Sequence, residues 1–237
     1  MEQKKVFCAC ADSFGLSDWL GWNEPKCAIP TSRAISDTWR QKHLNNLKLA
    51  KIDHNVILTG DSLIANLERH PIWDMFQTFQ TANFGIGGDK VENVLYRLKN
   101  GELSNLKTKI VVMLVGTNNT EHSKPHEIYE GIIKCVSIVK ELLPSAHIIL
   151  PTMLPRGRVP NAQRDCLEVV NSLLNQINNI NMNRRHIHIV HTHRNIVDER
   201  GFITREIMYD YLHLTAKGYD QCFQPVIDLI RKILTDK

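Results

Sequence analysis

Four short blocks of this 237-residue chain carry the residue types of nucleophilic chemistry. They are Gly60-Asp61-Ser62-Leu63, Gly85-Ile86-Gly87-Gly88-Asp89, Gly116-Thr117-Asn118-Asn119 and Asp210-Tyr211-Leu212-His213. A serine hydroxyl attacks a carbonyl when a histidine takes its proton and a carboxylate holds that histidine in the right tautomer. Ser62 can supply the nucleophile, His213 the base and Asp210 the orienting acid, in the chain order Ser, Asp, His. Fixed amide donors stabilise the negative charge that develops on the carbonyl oxygen. The Ser62 and Gly88 backbone amides and the Asn118 side chain are candidates for that task.

Taken alone, each block has a plainer reading. Ser62 suits the N-cap of a helix in a tight βα turn. The glycines suit a turn that needs φ > 0, Asn118 suits a turn, and Asp210 and His213 suit a local hydrogen bond. Ser62 sits in G-D-S-L-I, so the G-x-S-x-G elbow of ordinary α/β-hydrolases is absent. Gly85-x-Gly87-Gly88 lacks the G-x-G-x-x-G spacing, and no G-x-x-x-x-G-K-[ST] loop occurs, which disfavours a nucleotide site. His186, His188, His191 and His193 alternate along or after an apolar run. No Cys or carboxylate cluster accompanies them, so a polar strand edge is favoured over a metal site.

Composition narrows the classes further. Hydrophobic residues make up 43% and charged residues 23%, ordinary for a globular protein, and the net charge of +4 is scattered, which disfavours nucleic-acid binding. No run reaches the roughly 18 apolar residues of a membrane span. The start, MEQKKVFCACADSFG, does not read as a signal peptide. None of the six cysteines forms a C-x-x-C pair, so the expectation is a reduced, cytoplasmic protein.

The elements that would position the four blocks follow from patterning. Short apolar runs at 55–59, 81–85, 109–115, 146–152 and 186–190 read as buried strands. Segments 34–50, 125–143, 161–180 and 215–234 read as helices, with Pro125 in a first turn, Thr215 as an N-cap, and Val169, Val170, Leu173, Leu174 and Ile177 on one apolar face of 161–180. Strand and helix in alternation predict an α/β fold, a parallel sheet with helices on both faces. Ligands then bind beyond the carboxyl ends of the strands, and three of the four blocks fall directly after predicted strands. Residues 1–33, with Trp19 and Trp22, read as an arm of unassigned role, and 34–237 as a single domain.

Taken together and in this order, the blocks resemble the SGNH (GDSL) hydrolase superfamily, named for a serine, a glycine, an asparagine and a histidine. These match Ser62, Gly88, Asn118 and His213. NFGIGGD (83–89), LYRLKNGEL (95–103), VGTNN (115–119), LPRG (154–157) and MYDYLHL (208–214) are similar to the catalytic-subunit family of platelet-activating factor acetylhydrolase Ib. The resemblance implies a three-layer α/β/α, flavodoxin-like fold with a five-stranded parallel sheet. It implies a serine esterase that removes a short acyl group, acetyl above all, from a glycerophospholipid, with no metal or cofactor. It also implies an acyl pocket of Leu63, Thr117 and Leu212, pairing with a related subunit, and a WD-repeat β-propeller partner. The family's intact catalytic residues weigh against the alternative of a non-catalytic scaffold, and an acetylated sugar is the alternative substrate. Two departures stand out: the arm is unlike the family, and His191-Thr192-His193 replaces acidic residues.

Overall fold

The computed structural model describes residues 24–104, 106–177, 186–192 and 196–236. Most of the predicted arm (1–23), His193 and the end of the 161–180 helix lie outside them. Five strands form one all-parallel sheet: β1 Val56–Gly60, β2 Thr81–Asn83, β3 Ile110–Leu114, β4 His147–Pro151 and β5 Ile187–Val190, in the order β2-β1-β3-β4-β5. This is the doubly wound order of flavodoxin-like proteins. β1 and β3 are buried at every residue, which is why their sequences read as unbroken apolar runs.

The helices are α1 Asp37–Leu49, α2 Ser62–Ala65, α3 Trp73–Gln77, α4 Val91–Arg97, α5 Pro125–Leu142, α6 Ala162–Gln176 and α7 Ala216–Thr235. Their starts follow from local chemistry. The Thr215 hydroxyl accepts from Gly218 N at 3.1 Å, and Asn161 Oδ1 accepts from Gln163 N and Arg164 N. Helix α1 begins three residues later than the sequence suggested, because Ser36 is its cap while Ser32 closes a preceding turn. In α6 the inward face is Leu167, Val170, Asn171 and Leu174, whereas Val169, expected inside, is 48% exposed. Buried Asn171 explains the offset: its side chain clips both the N–H and the C=O of Met153, just past β4.

Residues 24–33 are bound to this fold. Cys27 and Ala28 are buried, and Thr31 N donates to Glu92 O at 2.9 Å.

Candidate active site

Ser62 is the first residue of α2, directly after β1. Asp61 caps the turn, its Oδ1 accepting from Leu63 N at 2.9 Å. Close packing of the glycine loop against α2 requires Gly85, since a Cβ there would stand 2.4 Å from Ala65 N. A Cβ on Gly87 would come 3.9 Å from Ser62 Cβ, so the loop lies beside the serine. Gly88 has φ +76°, a conformation that favours glycine.

His213 arrives from the other end of the chain. Its Nε2 lies 3.0 Å from Ser62 Oγ, and its Nδ1 lies 2.7 Å from Asp210 Oδ2. Asp210 Oδ1 accepts from Leu212 N at 3.0 Å and His213 N at 2.7 Å. Partial burial would raise the Asp210 pKa, but the bonds from the His213 ring and from these amides outweigh it and hold the carboxyl below its usual range. The tight turn runs through Tyr211 at φ +66°, rare for a residue with a side chain. Gly157 N donates to Tyr211 O at 2.7 Å, and the Arg205 guanidinium lies 5.7 Å from the Tyr211 ring, so neighbouring loops hold that conformation.

Asn118 follows β3, the neighbour of β1. Its Nδ2 donates to the Asp89 backbone oxygen at 2.9 Å, which ties it to the glycine loop. One amide proton is used in that bond, and a side-chain amide carries two. Asn119 fixes the same junction through Val91 N and Glu92. Of the residues expected to line an acyl pocket, Leu63 belongs to the apolar core and is 2% exposed, while Leu212 is half-buried. Thr117 is buried, and its Oγ1 has no hydrogen-bond partner among the described residues.

Several residues around the site were given no role by the sequence. Arg97 is wholly buried under the glycine loop. Its Nε donates to Asp89 Oδ2 at 2.8 Å, its Nη2 to Gly60 O at 3.2 Å and its Nη1 to Phe84 O at 2.9 Å and to Glu102. Burial alone would lower the Arg97 pKa, but Glu102 and Asp89 raise it, so the guanidinium stays charged. Glu102 also accepts from Asn46 at 2.9 Å and meets the His43 ring at 2.9 Å. Arg156, within LPRG, donates to Thr117 O at 2.9 Å. The Tyr219 hydroxyl donates to Leu63 O at 2.8 Å.

The expected histidine edge is joined by a strand neighbour. His188 on edge strand β5 meets His147 on β4, Nε2 to Nδ1 at 2.9 Å, and the His186 ring lies tilted against His147 with centroids 4.4 Å apart. Among the described residues no group of three or more His, Cys, Asp or Glu is arranged to hold a metal ion. Likewise, no described helix is long and apolar enough to cross a membrane.

The sheet order, with a serine, a glycine loop, an asparagine and an Asp–His pair gathered at one end, defines an SGNH-type hydrolase. The GDSL-like lipase/acylhydrolase family model matches residues 58–221, and the chain belongs to that family. It is 36% identical over 204 residues to platelet-activating factor acetylhydrolase IB subunit alpha2 of Homo sapiens, covering 84% of this chain and 86% of that one. It is 32% identical over 215 residues to the platelet-activating factor acetylhydrolase IB subunit beta homolog of Drosophila melanogaster, covering 89% and 94%. Among solved structures, a GDSL-like lipase from Bacteroides thetaiotaomicron matches with a TM-score of 0.66 at 19% identity, covering 81% of this chain and 97% of that one. That likeness concerns the fold.

Proposed function

We propose that this acylhydrolase is a serine esterase that cleaves a short acyl ester through an acyl-enzyme on Ser62. The hydrogen-bonded chain from Ser62 through His213 to Asp210 carries the reading. His213 takes the Ser62 proton as Oγ attacks the ester carbonyl, and Asp210 steadies the imidazolium. The Ser62 amide, the Gly88 amide and the Asn118 side chain stabilise the tetrahedral oxyanion. His213 then protonates the leaving alcohol, and water attacks the acyl-enzyme by the reverse route.

The substrate class we propose is the sn-2 acetyl ester of platelet-activating factor-like phospholipids, supported by 36% identity to acetylhydrolase subunits. Leu63, Thr117 and Leu212 would confine the acyl group, and no cofactor or metal enters the mechanism. Because those relatives are named as subunits, we propose that the chain pairs with itself or a related subunit in the cytoplasm. A WD-repeat β-propeller is the proposed further partner, and residues 34–237 are the proposed hydrolase domain.

Labelling with a fluorophosphonate tests the nucleophile: wild type should be modified at Ser62 and the Ser62→Ala variant should not. Acetate release from an acetylated phospholipid should exceed that from an acetylated glycan. A folded protein that takes no label and hydrolyses no short ester would refute the proposal.

A further inference from the structure

The segment ahead of α1 reaches the glycine loop through one side chain. Arg33 Nη1 donates to Gly87 O at 3.1 Å and to Asp89 Oδ1 at 3.0 Å. A Cβ built on Gly88 would stand 3.3 Å from both Nη1 and Nη2. The guanidinium is therefore packed closely against the side of Gly88 on which any other residue would carry its Cβ. Asp89 is fully buried and is the anchor for this contact. Its Oδ1 also accepts from Trp39 Nε1 at 2.7 Å, and its Oδ2 accepts from Arg97. Burial raises the Asp89 pKa against the pull of Arg97, Trp39 and Arg33.

The significance lies in peptide planarity. The Gly87 carbonyl and the Gly88 N–H belong to one rigid unit and point in opposite directions. Fixing the carbonyl fixes the direction of the amide. A peptide between two glycines is unusually free to rotate, because neither residue has a Cβ to restrict its φ and ψ. Without an external bond, the Gly88 amide would sample directions away from the Ser62 side of the loop. Among the described residues, Arg33 is the donor that holds the Gly87 carbonyl.

We propose that Arg33 is a positioning residue of the oxyanion hole, locking the Gly87–Gly88 peptide so that the Gly88 amide stays aimed at the substrate carbonyl oxygen. This rests on the esterase reading above. It also gives the residues just before the hydrolase domain a part in its chemistry. Arg33 is 36% exposed at the side chain, and without it the buried Asp89 still accepts from Arg97 and Trp39. Its loss should therefore leave the fold intact while loosening the loop.

The test compares wild type, Arg33→Ala and Arg33→Lys on an uncharged short-chain ester. It adds the affinity for a trifluoromethyl ketone, whose adduct with serine needs the oxyanion donors. For Arg33→Ala, kcat should fall by about 10²-fold, the loss typical of one oxyanion donor. KM should change little, ketone affinity should fall in step with kcat, and the melting temperature should hold. Arg33→Lys, which can reach one of the two acceptors, should recover part of both losses. An Arg33→Ala enzyme with unchanged kcat would overturn the proposal and leave the esterase reading standing. So would a fall in kcat with undiminished ketone affinity. A wild-type protein inactive on every ester would overturn the esterase reading and this proposal with it.

Discussion

His213 Nε2 stands 3.0 Å from Ser62 Oγ, although the two residues are 151 positions apart in the chain. The sheet brings Ser62 to the end of β1, and the strained turn at Tyr211 presents the imidazole to it. Ser62→Ala should reduce kcat by about 10⁶-fold, since the members of such a triad act as a unit. Asp210→Asn should cost about 10⁴-fold, because the ring loses its tautomer control. Both variants should fold as wild type does, so single-turnover acetate release beside circular dichroism separates chemistry from stability.

Asn118→Ala removes a candidate oxyanion donor and also frees the Asp89 carbonyl from its 2.9 Å bond. The expected loss is about 10²–10³-fold in kcat with KM nearly unchanged. Steady-state kinetics on a soluble acetyl ester measures both constants. A rise in KM at constant kcat would mean that Asn118 contributes uniform binding instead.

Much of this site could be read from the chain because three of the four blocks lie just after strands, and buried parallel strands write themselves as apolar runs. Ser62, Gly88 and Asn118 were legible for that reason. Arg33 was not, and the roles of Arg97 and Arg156 were not, although both fall in the strings LYRLKNGEL and LPRG. Each acts through backbone carbonyls or a distant carboxylate, and no periodic pattern marks such a bond. Arg97 is wholly buried, the opposite of what its residue type suggests, and only Asp89 and Glu102 in space explain it. The inward face of α6 departs from the apolar pattern because Asn171, a residue type usually at the surface, is buried and Val169 is exposed. The value of Asn171 lies in the two backbone bonds to Met153.

Leu212 lies half-buried next to His213, whereas Leu63 is part of the core. Of the two, Leu212 is the safer probe of acyl length. Leu212→Ala should raise kcat/KM for a hexanoyl ester relative to the acetyl ester by about tenfold, the scale set by methylene-sized changes in an apolar pocket. A chain-length series on both proteins reads this directly. An unchanged ratio would remove Leu212 from the pocket.

Arg97 holds a buried charge between Asp89 and Glu102 and also caps Gly60 O and Phe84 O. Arg97→Met takes the buried cation away from two buried carboxylates, leaving Asp89 with Arg33 and Trp39 and Glu102 with Asn46 and His43, and breaking a buried ion pair from one side costs about 3–5 kcal/mol. Urea unfolding should show that loss. The contrast with Arg33→Ala, expected to retain stability, would divide structural from positioning arginines around one carboxylate.

Asp61 lies beside the nucleophile with 1% exposure, and its Oδ2 has no hydrogen-bond partner among the described residues. Burial pushes its pKa up from 3.8 to about 7, with Asp89 adding to the rise and the Leu63 amide and Arg156 opposing it. The folded state therefore keeps this proton where the unfolded chain has released it. The sign follows: the contribution to stability is full below the unfolded pKa and is lost as pH rises through the folded one. Asp61→Asn preserves the acceptor for Leu63 N–H and does not titrate. Between about pH 4 and pH 7, wild type should lose up to about 4 kcal/mol of stability relative to Asp61→Asn. Urea midpoints for the two proteins measured across that range decide the matter. Parallel curves would mean that Asp61 is ionised in the folded protein and that the Ser62 turn is built on a carboxylate.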